Sequence, residues 1–473
     1  MRTMRRWKNS LALALVAVLT FVAFSCDKDE PGPDRYVNDW ILANMRYLYY
    51  WTDEIPANPN RNQEPDAFFE SLLSPQDRFS VIVDDYRELE SALQGVTKEA
   101  GYEVVLYLES SGSENVIGQI VYMKPNSPAT AAGLKRGDVI THINGQQLTT
   151  TSYSALLGQI NENHTITYRP FDVVNRTLGT TPVTLSLTTV EYAENPNYFS
   201  QVYDFPAANK KVGYLMYNLF STGSTSASSE YNNQMDAIFA GFKSQGITDL
   251  VLDLRYNSGG AISAAINLAS LIGKNVNAST VFVQRQYNLR VTNEIVNDSQ
   301  LGPSFLVDRF VEKSQNVGGQ LNRVYILTGS RTASASELII NGLKPFMDVV
   351  IIGQTTVGKN VGSILVNEDN NPANTWGMLP IVLKLFNSQG QSDYDNGFEP
   401  NIEDLDNSLA VYPLGDVRES MLNKALVQIT GGPVGGRVGT GERVDREVIG
   451  TSFDRKAYRN RLIVEVVDFG AKN

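Results

Sequence analysis

The pattern of apolar positions divides most of the chain into three folded regions. In residues 34–93, apolar side chains recur at helical spacing, so this region is predicted to be helical. Residues 95–190 contain short apolar runs, such as 104–108 and 118–123, that are typical of β-strands. Residues 200–430 alternate apolar strands with helical stretches, as α/β domains do. We therefore expect an α+β multidomain protein.

The third region has the clearest order of elements. Its strands are predicted at 211–217, 250–254, 324–327 and 349–352, and its helices at 226–244, 262–271 and 334–343. If neighbouring strands are parallel, their carboxyl ends lie on one edge of the sheet. The loops that follow those strands then converge at that edge. Residues 431–473 are rich in glycine, and they predict a linker with a short terminal strand at 462–466.

The first 25 residues have the composition of an export signal. Four basic residues within 1–8 precede an almost unbroken apolar run over 11–24. The run is shorter than the roughly 20 residues that a membrane-spanning helix needs. The sequence therefore predicts that residues 1–25 are a signal peptide, followed by a flexible tether over 26–33.

Cys26 is the only cysteine in the chain. With the preceding Ala23-Phe24-Ser25 it resembles a bacterial lipobox, in which the cysteine becomes the lipidated first residue. That resemblance implies an exported protein, anchored by lipid to a bacterial membrane and facing the periplasm or the outer surface. A soluble secreted protein with a stray cysteine remains the alternative.

Charge and rare residues exclude several function classes. The formal net charge of −11 disfavours nucleic-acid binding, which needs a basic face. A single cysteine excludes disulfides and thiolate metal sites. The two histidines, His142 and His164, are the only ones that a Ser-His-Asp triad or a histidine metal site can use. The sequence predicts neither a metal nor another cofactor.

Ser334 lies where an apolar strand gives way to a helix through a turn of small residues. A serine at such a place is usually an N-cap, and Ser330 or Ser334 can serve as one. Unpaired backbone N–H groups at a helix start can also stabilise an oxyanion, which a nucleophilic serine needs. Both interpretations are open from this segment alone.

Lys359 follows the next predicted strand, in a loop that contains Gly353, Gly358 and Gly362. On a parallel sheet this loop lies beside Ser334, so the two side chains can meet. A lysine acts as a base only when neutral, so burial has to lower its pKa from about 10.4. The alternative is an ordinary solvated loop charge.

A third strand, over 250–254, leads into a polar turn that ends in Gly259 and Gly260. Glycines allow backbone N–H groups to approach a reacting carbonyl closely. A phosphate cradle is the rival interpretation, but no lysine follows at the position that a P-loop requires.

The run from Ser127 to Gly145 has readable local physics. Pro128 starts a short alanine-rich helix, Gly133 ends it, and Asn144-Gly145 forms a hairpin turn. This run resembles the PDZ domain, and we assign residues 95–190 to it. PDZ domains bind peptide C-termini as an added strand. The resemblance implies that the carboxylate-binding loop is Gly101, Tyr102, Glu103 and Val104, although this loop departs from the usual small apolar one.

The serine, lysine and glycine segments together resemble the C-terminal processing proteases, also called tail-specific proteases. The resemblance covers about residues 35–425 and implies a crotonase-like α/β core over 200–430. It implies that Ser334 attacks, that Lys359 takes the proton and that Glu337 positions the lysine. The oxyanion hole would combine the N–H of Ala335 with that of Gly259 or Gly260.

The resemblance also predicts the partners. Unfolded or processed proteins with free C-termini would bind the PDZ domain and be cleaved upstream of the tail. The loop that contains Lys359 departs from many members of the family at Gln354-Thr355 and at Asn360, and neither difference removes a catalytic group. Relatives of the tricorn type use a histidine, whereas both histidines here fall inside the PDZ region. A catalytically inactive PDZ adaptor and a crotonase-like acyl-CoA enzyme are the alternatives.

Overall fold

The computed structural model describes residues 33–225, 227–435, 446–455 and 463–464. The predicted signal peptide, Cys26 and the tether up to residue 32 lie outside the described residues. So do 436–445 in the predicted glycine-rich linker and all of the predicted terminal strand except 463–464. Within the described ranges, no helix combines the length and apolar character needed to cross a membrane.

The N-terminal region is not purely helical. Its elements are α1 (Pro33–Leu48), α2 (Pro65–Glu70), β1 (Val81–Val83), α3 (Tyr86–Leu93) and β2 (Val96–Glu99). Apolar residues of α1 and α2 pack together, as their helical spacing predicts, and this cluster continues onto Val361, Met378 and Ile381 of the third region. The strand β1 was not predicted, because three apolar residues are too few to show an alternating pattern.

The second region is a β-rich domain. It contains β3 (Tyr102–Leu108), β4 (Val116–Met123), α4 (Pro128–Ala131), β5 (Val139–Ile143), β6 (Gln146–Gln147), α5 (Tyr153–Gly158), β7 (His164–Arg169), β8 (Phe171–Asp172), β9 (Thr177–Leu178), β10 (Val183–Leu187) and β11 (Val190–Ala193). Its main sheet has the strand order β10-β7-β5-β4-β3, with one further strand beside β3. The helix α4 begins at Pro128 with Ser127 as its N-cap, as the sequence predicts.

The third region contains two six-stranded sheets. Its elements are β12 (Asn197–Phe205), β13 (Lys210–Tyr217), α6 (Glu230–Gln245), β14 (Asp249–Asp253), β15 (Gly260–Ala261), α7 (Ile262–Ile272), β16 (Val281–Tyr287), α8 (Leu289–Asn297), β17 (Val307–Arg309), β18 (Arg323–Thr328), α9 (Ala335–Leu343), β19 (Asp348–Gly353), β20 (Val361–Ser363), β21 (Val366–Asn367), β22 (Gly377–Leu379), β23 (Ile381–Asn387) and β24 (Ile402–Glu403). The predicted helix over 226–244 begins later, at Glu230.

The central sheet has the strand order β12-β13-β14-β18-β19-β24, and it is parallel from β13 onward. Leu250 and Leu252 of β14 face a cluster formed with α7 and α9. Val251 faces the opposite cluster, formed with α10 (Ser420–Thr430). Because both faces are covered, the strands are continuously apolar. The carboxyl ends of β14, β18 and β19 therefore lie together, which confirms the predicted mixed α and β architecture.

Two short strands from the C-terminal part of the chain complete the sheets. The strand β25 (Val448–Thr451) pairs with β3 at the edge of the second region. The strand β26 (Ile463–Val464) joins the second sheet of the third region, whose order is β15-β26-β20-β23-β16-β17. The C-terminal part of the chain thus pairs with a strand of the β-rich domain and with strands of the third region.

Candidate active site

Ser334 lies at the N-cap of α9 in an unusual backbone conformation. Its φ of 65° and ψ of −118° belong to a region that residues other than glycine rarely adopt. The Leu338 N–H donates to the Ser334 carbonyl at 2.7 Å, and the Thr332 hydroxyl donates to the Leu254 carbonyl at 2.9 Å. These bonds hold the turn between β18 and α9. Ser334 is therefore both an N-cap and a residue held in a strained turn, the geometry typical of a functional site.

Lys359 is completely buried in the loop that follows β19. Its Nζ lies 5.4 Å from the centroid of the Phe79 ring, which comes from the N-terminal region. The preceding Gly358 has a φ of 90°, and a Cβ at that position would lie 2.2 Å from the Asp395 carbonyl oxygen. Only glycine fits there, so the loop path that buries Lys359 depends on Gly358.

Glu337 joins the serine turn to the lysine loop. Its Oε2 accepts the backbone N–H groups of Ser334 and Lys359, each at 2.8 Å. Its Oε1 accepts the Gly358 N–H at 2.6 Å and the Thr356 hydroxyl at 2.5 Å. The carboxylate thus holds the lysine loop by its main chain.

Burial raises the pKa of Glu337, whereas the hydrogen bonds from Thr356, Ser334, Lys359 and Gly358 lower it, and burial has the larger effect. A carboxylate in this place costs desolvation energy, and the four hydrogen bonds offset part of that cost.

The candidate oxyanion donors are the backbone N–H groups of Ala335, Gly259 and Gly260, and they differ in position and in hydrogen bonding. Ala335 is the first residue of α9, directly after Ser334. The Gly259 N–H donates to Asn257 Oδ1 at 2.8 Å, so this group is already engaged. The sequence left Gly259 and Gly260 as alternative oxyanion donors, and this hydrogen bond favours Gly260. The reason is that Asn257 folds back onto its own turn, which a strand–turn–glycine pattern does not reveal.

Gly260 occupies a position that requires glycine. Its φ is 135°, and a Cβ there would lie 2.2 Å from the Phe220 carbonyl oxygen. The Ala261 N–H donates to that same carbonyl at 2.7 Å. The backbone of this turn is therefore packed tightly against Phe220, in the loop that follows β13.

Asn257 and Thr356 were not identified from the sequence. The Asn257 carbonyl accepts the Ser336 hydroxyl at 3.0 Å, and its Nδ2 donates to the Tyr217 carbonyl at 2.8 Å. Asn257 therefore joins the glycine turn to the serine helix. Thr356 donates to Glu337 and accepts the Phe398 N–H at 2.8 Å. The sequence signal for both residues was a polar side chain in the loop after a strand. It does not reveal their partners, which are distant in sequence.

Arg78 and Phe79 are also part of the site and were not predicted. Arg78 donates to the carbonyls of Val357 at 3.1 Å and Asp395 at 2.9 Å. Phe79 covers Lys359. The N-terminal region therefore closes one side of the lysine loop.

Asn360, where the sequence departs from the expected glycine, is buried. Its Nδ2 donates to the Ser392 carbonyl at 2.7 Å and to Asp395 Oδ1 at 2.9 Å. The substitution thus anchors the lysine loop to the segment after β23.

The two histidines lie in the β-rich domain. His164 Nε2 is 2.8 Å from the Tyr102 hydroxyl, and its Nδ1 is 2.7 Å from the Glu162 carbonyl oxygen. His142 Nδ1 is 2.9 Å from the Thr141 hydroxyl. Neither contact involves Ser334 or its helix. Among the described residues, no cluster of His, Cys, Asp and Glu could hold a metal ion.

Of the predicted peptide-binding residues, Gly101 lies just before β3, and Tyr102, Glu103 and Val104 are its first three residues. Gly101 has a φ of 91°, and a Cβ there would lie 2.1 Å from Ser127 Cβ, so this turn requires glycine. Tyr102, Glu103 and Val104 follow and are buried. The Val104 N–H donates to the hydroxyl of Ser452, a residue from the C-terminal segment, at 2.8 Å.

Three segments match models of known domains. Residues 211–404 match peptidase family S41, residues 36–81 match the peptidase S41 N-terminal domain, and residues 119–170 match the PDZ domain. The two S41 models together cover just over half of the chain. Ser334, Glu337, Lys359 and the glycine turn at Gly259-Gly260 all lie within the S41 match.

Named relatives agree with these matches. The chloroplastic C-terminal processing peptidase of Tetradesmus obliquus is 26% identical over 347 residues, which cover 72% of this chain and 68% of the relative. The carboxyl-terminal-processing protease of Picosynechococcus is 24% identical over 374 residues, covering 74% and 79%. The crystal structure of a protein assigned as an S41 protease, from Bacteroides fragilis, superposes with a TM-score of 0.67 and 28% identity, covering 83% of this chain and 97% of that one.

Proposed function

This chain belongs to peptidase family S41, and we propose that it is a serine endopeptidase with Ser334 as nucleophile and Lys359 as general base. One observation carries the proposal. The backbone N–H groups of Ser334 and Lys359 both donate to Glu337 Oε2, each at 2.8 Å, so one oxygen atom holds the two backbones close together. Two loops 25 residues apart in sequence are thereby fixed side by side.

The chemistry follows from these positions. Ser334 Oγ attacks the carbonyl carbon of the scissile peptide bond while the neutral amine of Lys359 takes the hydroxyl proton. The complete burial of Lys359 favours that neutral amine, because a buried ammonium loses its hydration. The backbone N–H groups of Ala335 and Gly260 stabilise the oxyanion. The ammonium of Lys359 then protonates the leaving amine.

The acyl-enzyme is hydrolysed by the reverse use of the same groups. Lys359 takes a proton from water, the hydroxide attacks the ester carbonyl, and Ser334 leaves with the proton returned by Lys359. Glu337 does not contact the substrate in this scheme. It is a positioning residue, which acts through the main chain of the lysine loop.

The PDZ domain supplies the substrate class. We propose that extended C-terminal tails of unfolded or processed proteins add to the edge of β3 and are cut upstream of the tail. The named relatives, which are C-terminal processing proteases, support this choice. In this scheme the terminal carboxylate takes its hydrogen bonds from the Gly101–Val104 loop.

The location of the enzyme is a separate proposal. The basic and apolar segments of residues 1–25, together with Cys26, support export and lipid attachment at that cysteine. A lipid anchor would hold the peptidase at a bacterial membrane surface that faces the periplasm or the outside.

The assignment of the nucleophile is tested by a fluorophosphonate probe, which labels activated serines. Full-length protein should be labelled at Ser334, as located by peptide mass spectrometry, and Ser334→Ala should lose both the label and the cleavage of an unfolded protein substrate. Ser330→Ala is the matched control, because Ser330 is exposed in the same turn. Cleavage by Ser334→Ala at the parent rate would overturn the proposal. Folded parent protein without any turnover would favour the inactive PDZ adaptor instead.

A further inference from the structure

The C-terminal strap, residues 446–453, fills the groove of the PDZ domain. Its strand β25 pairs antiparallel with β3, with Val448 opposite Tyr107 and Thr451 opposite Val105. On the other side of the strap, the Tyr153 hydroxyl at the start of α5 donates to the Ile449 carbonyl at 3.3 Å. The strap therefore lies between β3 and α5, where an added peptide strand is expected in this domain.

Ser452 occupies the place predicted for a terminal carboxylate. Its hydroxyl accepts the Val104 N–H at 2.8 Å and donates to Glu103 Oε2 at 2.5 Å. Ser452 and Glu103 are both buried. The chain does not end there, because a 3₁₀ turn over Ser452–Arg455 continues it. A serine hydroxyl thus satisfies the loop in place of a chain terminus.

The strap also contacts the loops of the catalytic domain. Phe453 stacks on Tyr256, with ring centroids 5.9 Å apart, and Tyr256 belongs to the turn after β14. The Arg331 guanidinium lies 5.2 Å from the Phe453 ring centroid and donates to the Thr451 hydroxyl at 3.3 Å. Arg331 stands three residues before Ser334. The strap therefore occupies the PDZ groove and also contacts the turn that carries the nucleophile.

The active site is closed in this arrangement. Ser334 and Lys359 have no exposed surface. Further along the chain, Ile463–Val464 pairs in parallel with Gly260–Ala261 on one side and with Ser363 on the other. The backbone after the strap thus lies between the oxyanion turn and the strand that follows Lys359, which is a position that a substrate strand would need.

We propose that the strap is an intramolecular ligand of the PDZ groove and that an extended peptide has to displace it to bind. The groove takes a β-strand with a hydroxyl side chain opposite Val104 and Glu103, since Ser452 makes both hydrogen bonds there. Displacement separates Phe453 and Thr451 from Arg331, which releases the turn before Ser334. The competition does not depend on catalysis, whereas its effect on turnover rests on the proposed function.

Binding is tested in full-length protein that carries Ser334→Ala, so that no peptide is cleaved. The probe is a fluorescent peptide with the sequence of residues 446–455 and an amidated end. Gly450→Glu should eject the strap, because a Cβ at Gly450 already lies 3.3 Å from Tyr153 and 3.5 Å from Leu106. Since the internal ligand occupies the groove in most molecules of the parent, the probe should bind Gly450→Glu about tenfold more tightly.

Ser452→Ala in the protein should act in the same direction with a smaller effect, because it removes two hydrogen bonds and adds no bulk. Glu447→Ala is the control, since Glu447 is exposed on the same segment, and it should bind the probe as the parent does. A probe with alanine in place of its serine should bind Gly450→Glu about tenfold more weakly. Equal affinity of the parent and Gly450→Glu for the first probe would overturn the assignment of the strap as a ligand.

Turnover is tested with Ser334 present. Gly450→Glu should raise kcat/KM for an unfolded protein substrate by about tenfold over the parent and over Glu447→Ala. An unchanged kcat/KM would overturn the release of the nucleophile turn. A protein that binds the probe as expected and shows no turnover in any variant would instead contradict the proposed function, so the two failures are distinguishable.

Discussion

Ser334 and Lys359 donate their backbone N–H groups to the same oxygen atom, Oε2 of Glu337, each over 2.8 Å. Because these hydrogen bonds involve backbone nitrogens, they fix the positions of the two main chains and do not use the side chains of Ser334 and Lys359. The second oxygen of Glu337 holds Gly358 and Thr356. A single carboxylate therefore sets the position of one loop relative to the other.

Replacing Glu337 by glutamine should reduce activity strongly and also change its pH dependence. One side of an amide is a donor, so Glu337→Gln cannot accept all four hydrogen bonds. It also removes a negative charge that favours the ammonium form of Lys359, so the acid limb of kcat/KM should move to lower pH.

Thr356→Val is the control for this prediction. It removes one of the four hydrogen bonds to Glu337, together with the acceptor of the Phe398 N–H, and keeps the charge, so it should lower the rate without moving the acid limb. If Glu337→Gln gives the parent's rate and the parent's profile, Glu337 does not position the lysine loop.

Stability should show the cost of burying Glu337. Burial raises its pKa above the ordinary value of 4.5, so the folded protein binds this proton more tightly than the unfolded protein does. The contribution of this group to stability is therefore fully present below pH 4.5 and is lost as the pH rises through the raised pKa. We expect the difference in Tm between the parent and Glu337→Gln to become less favourable to the parent over that rise. Calorimetry of both proteins at several pH values measures it, and parallel curves would contradict it.

Lys359→Arg should be folded and nearly inactive. A guanidinium stays charged when buried and cannot take the proton from Ser334, so kcat should fall by about 10³-fold. Lys359→Met, which keeps length without charge or basicity, should be equally inactive and no less stable. Either variant within tenfold of the parent rate would remove Lys359 from the mechanism.

The sequence predicted the serine turn and the lysine loop because both follow apolar strands of a parallel sheet, and such strands place their loops on one edge. It did not predict how those loops are held. Asn257, Thr356 and Phe79 act through contacts with residues far away in the chain, and their local patterns resemble any polar turn or apolar residue. The engagement of the Gly259 N–H by Asn257 is likewise a local fold-back without a sequence signature.

The filled PDZ groove was hidden for a related reason. Residues 448–451 form a short strand after a glycine-rich stretch, and such a strand has no periodicity of its own. Its register is set by β3, to which it pairs, rather than by its sequence. A motif for the groove can be recognised locally, but its occupant is defined only by the tertiary fold.

Cys26→Ser tests the proposed membrane anchor. A lipid on Cys26 should keep the parent in the membrane fraction after a wash in high salt, which removes proteins held by charge alone. The variant should appear in the soluble exported fraction, and mass spectrometry should find no lipid on it. A variant that still sediments with washed membranes would contradict anchoring through Cys26.

Glu103 should decide how strongly the groove prefers a free C-terminus. Its buried carboxylate lies at the position where Ser452 meets the Val104 N–H. A terminal carboxylate placed there gains the backbone hydrogen bond and is opposed by the charge of Glu103. In the Gly450→Glu background, where the strap no longer competes, Glu103→Gln should therefore strengthen binding of a free-tail peptide by about tenfold. The affinity of the same peptide with an amidated end should change little, because it carries no terminal charge.

Fluorescence anisotropy of the two peptides against both proteins measures the four affinities. An equal change for the free and the amidated peptide would show that the chain terminus does not bind beside Glu103, and would place the substrate's carboxylate away from the Gly101–Val104 loop.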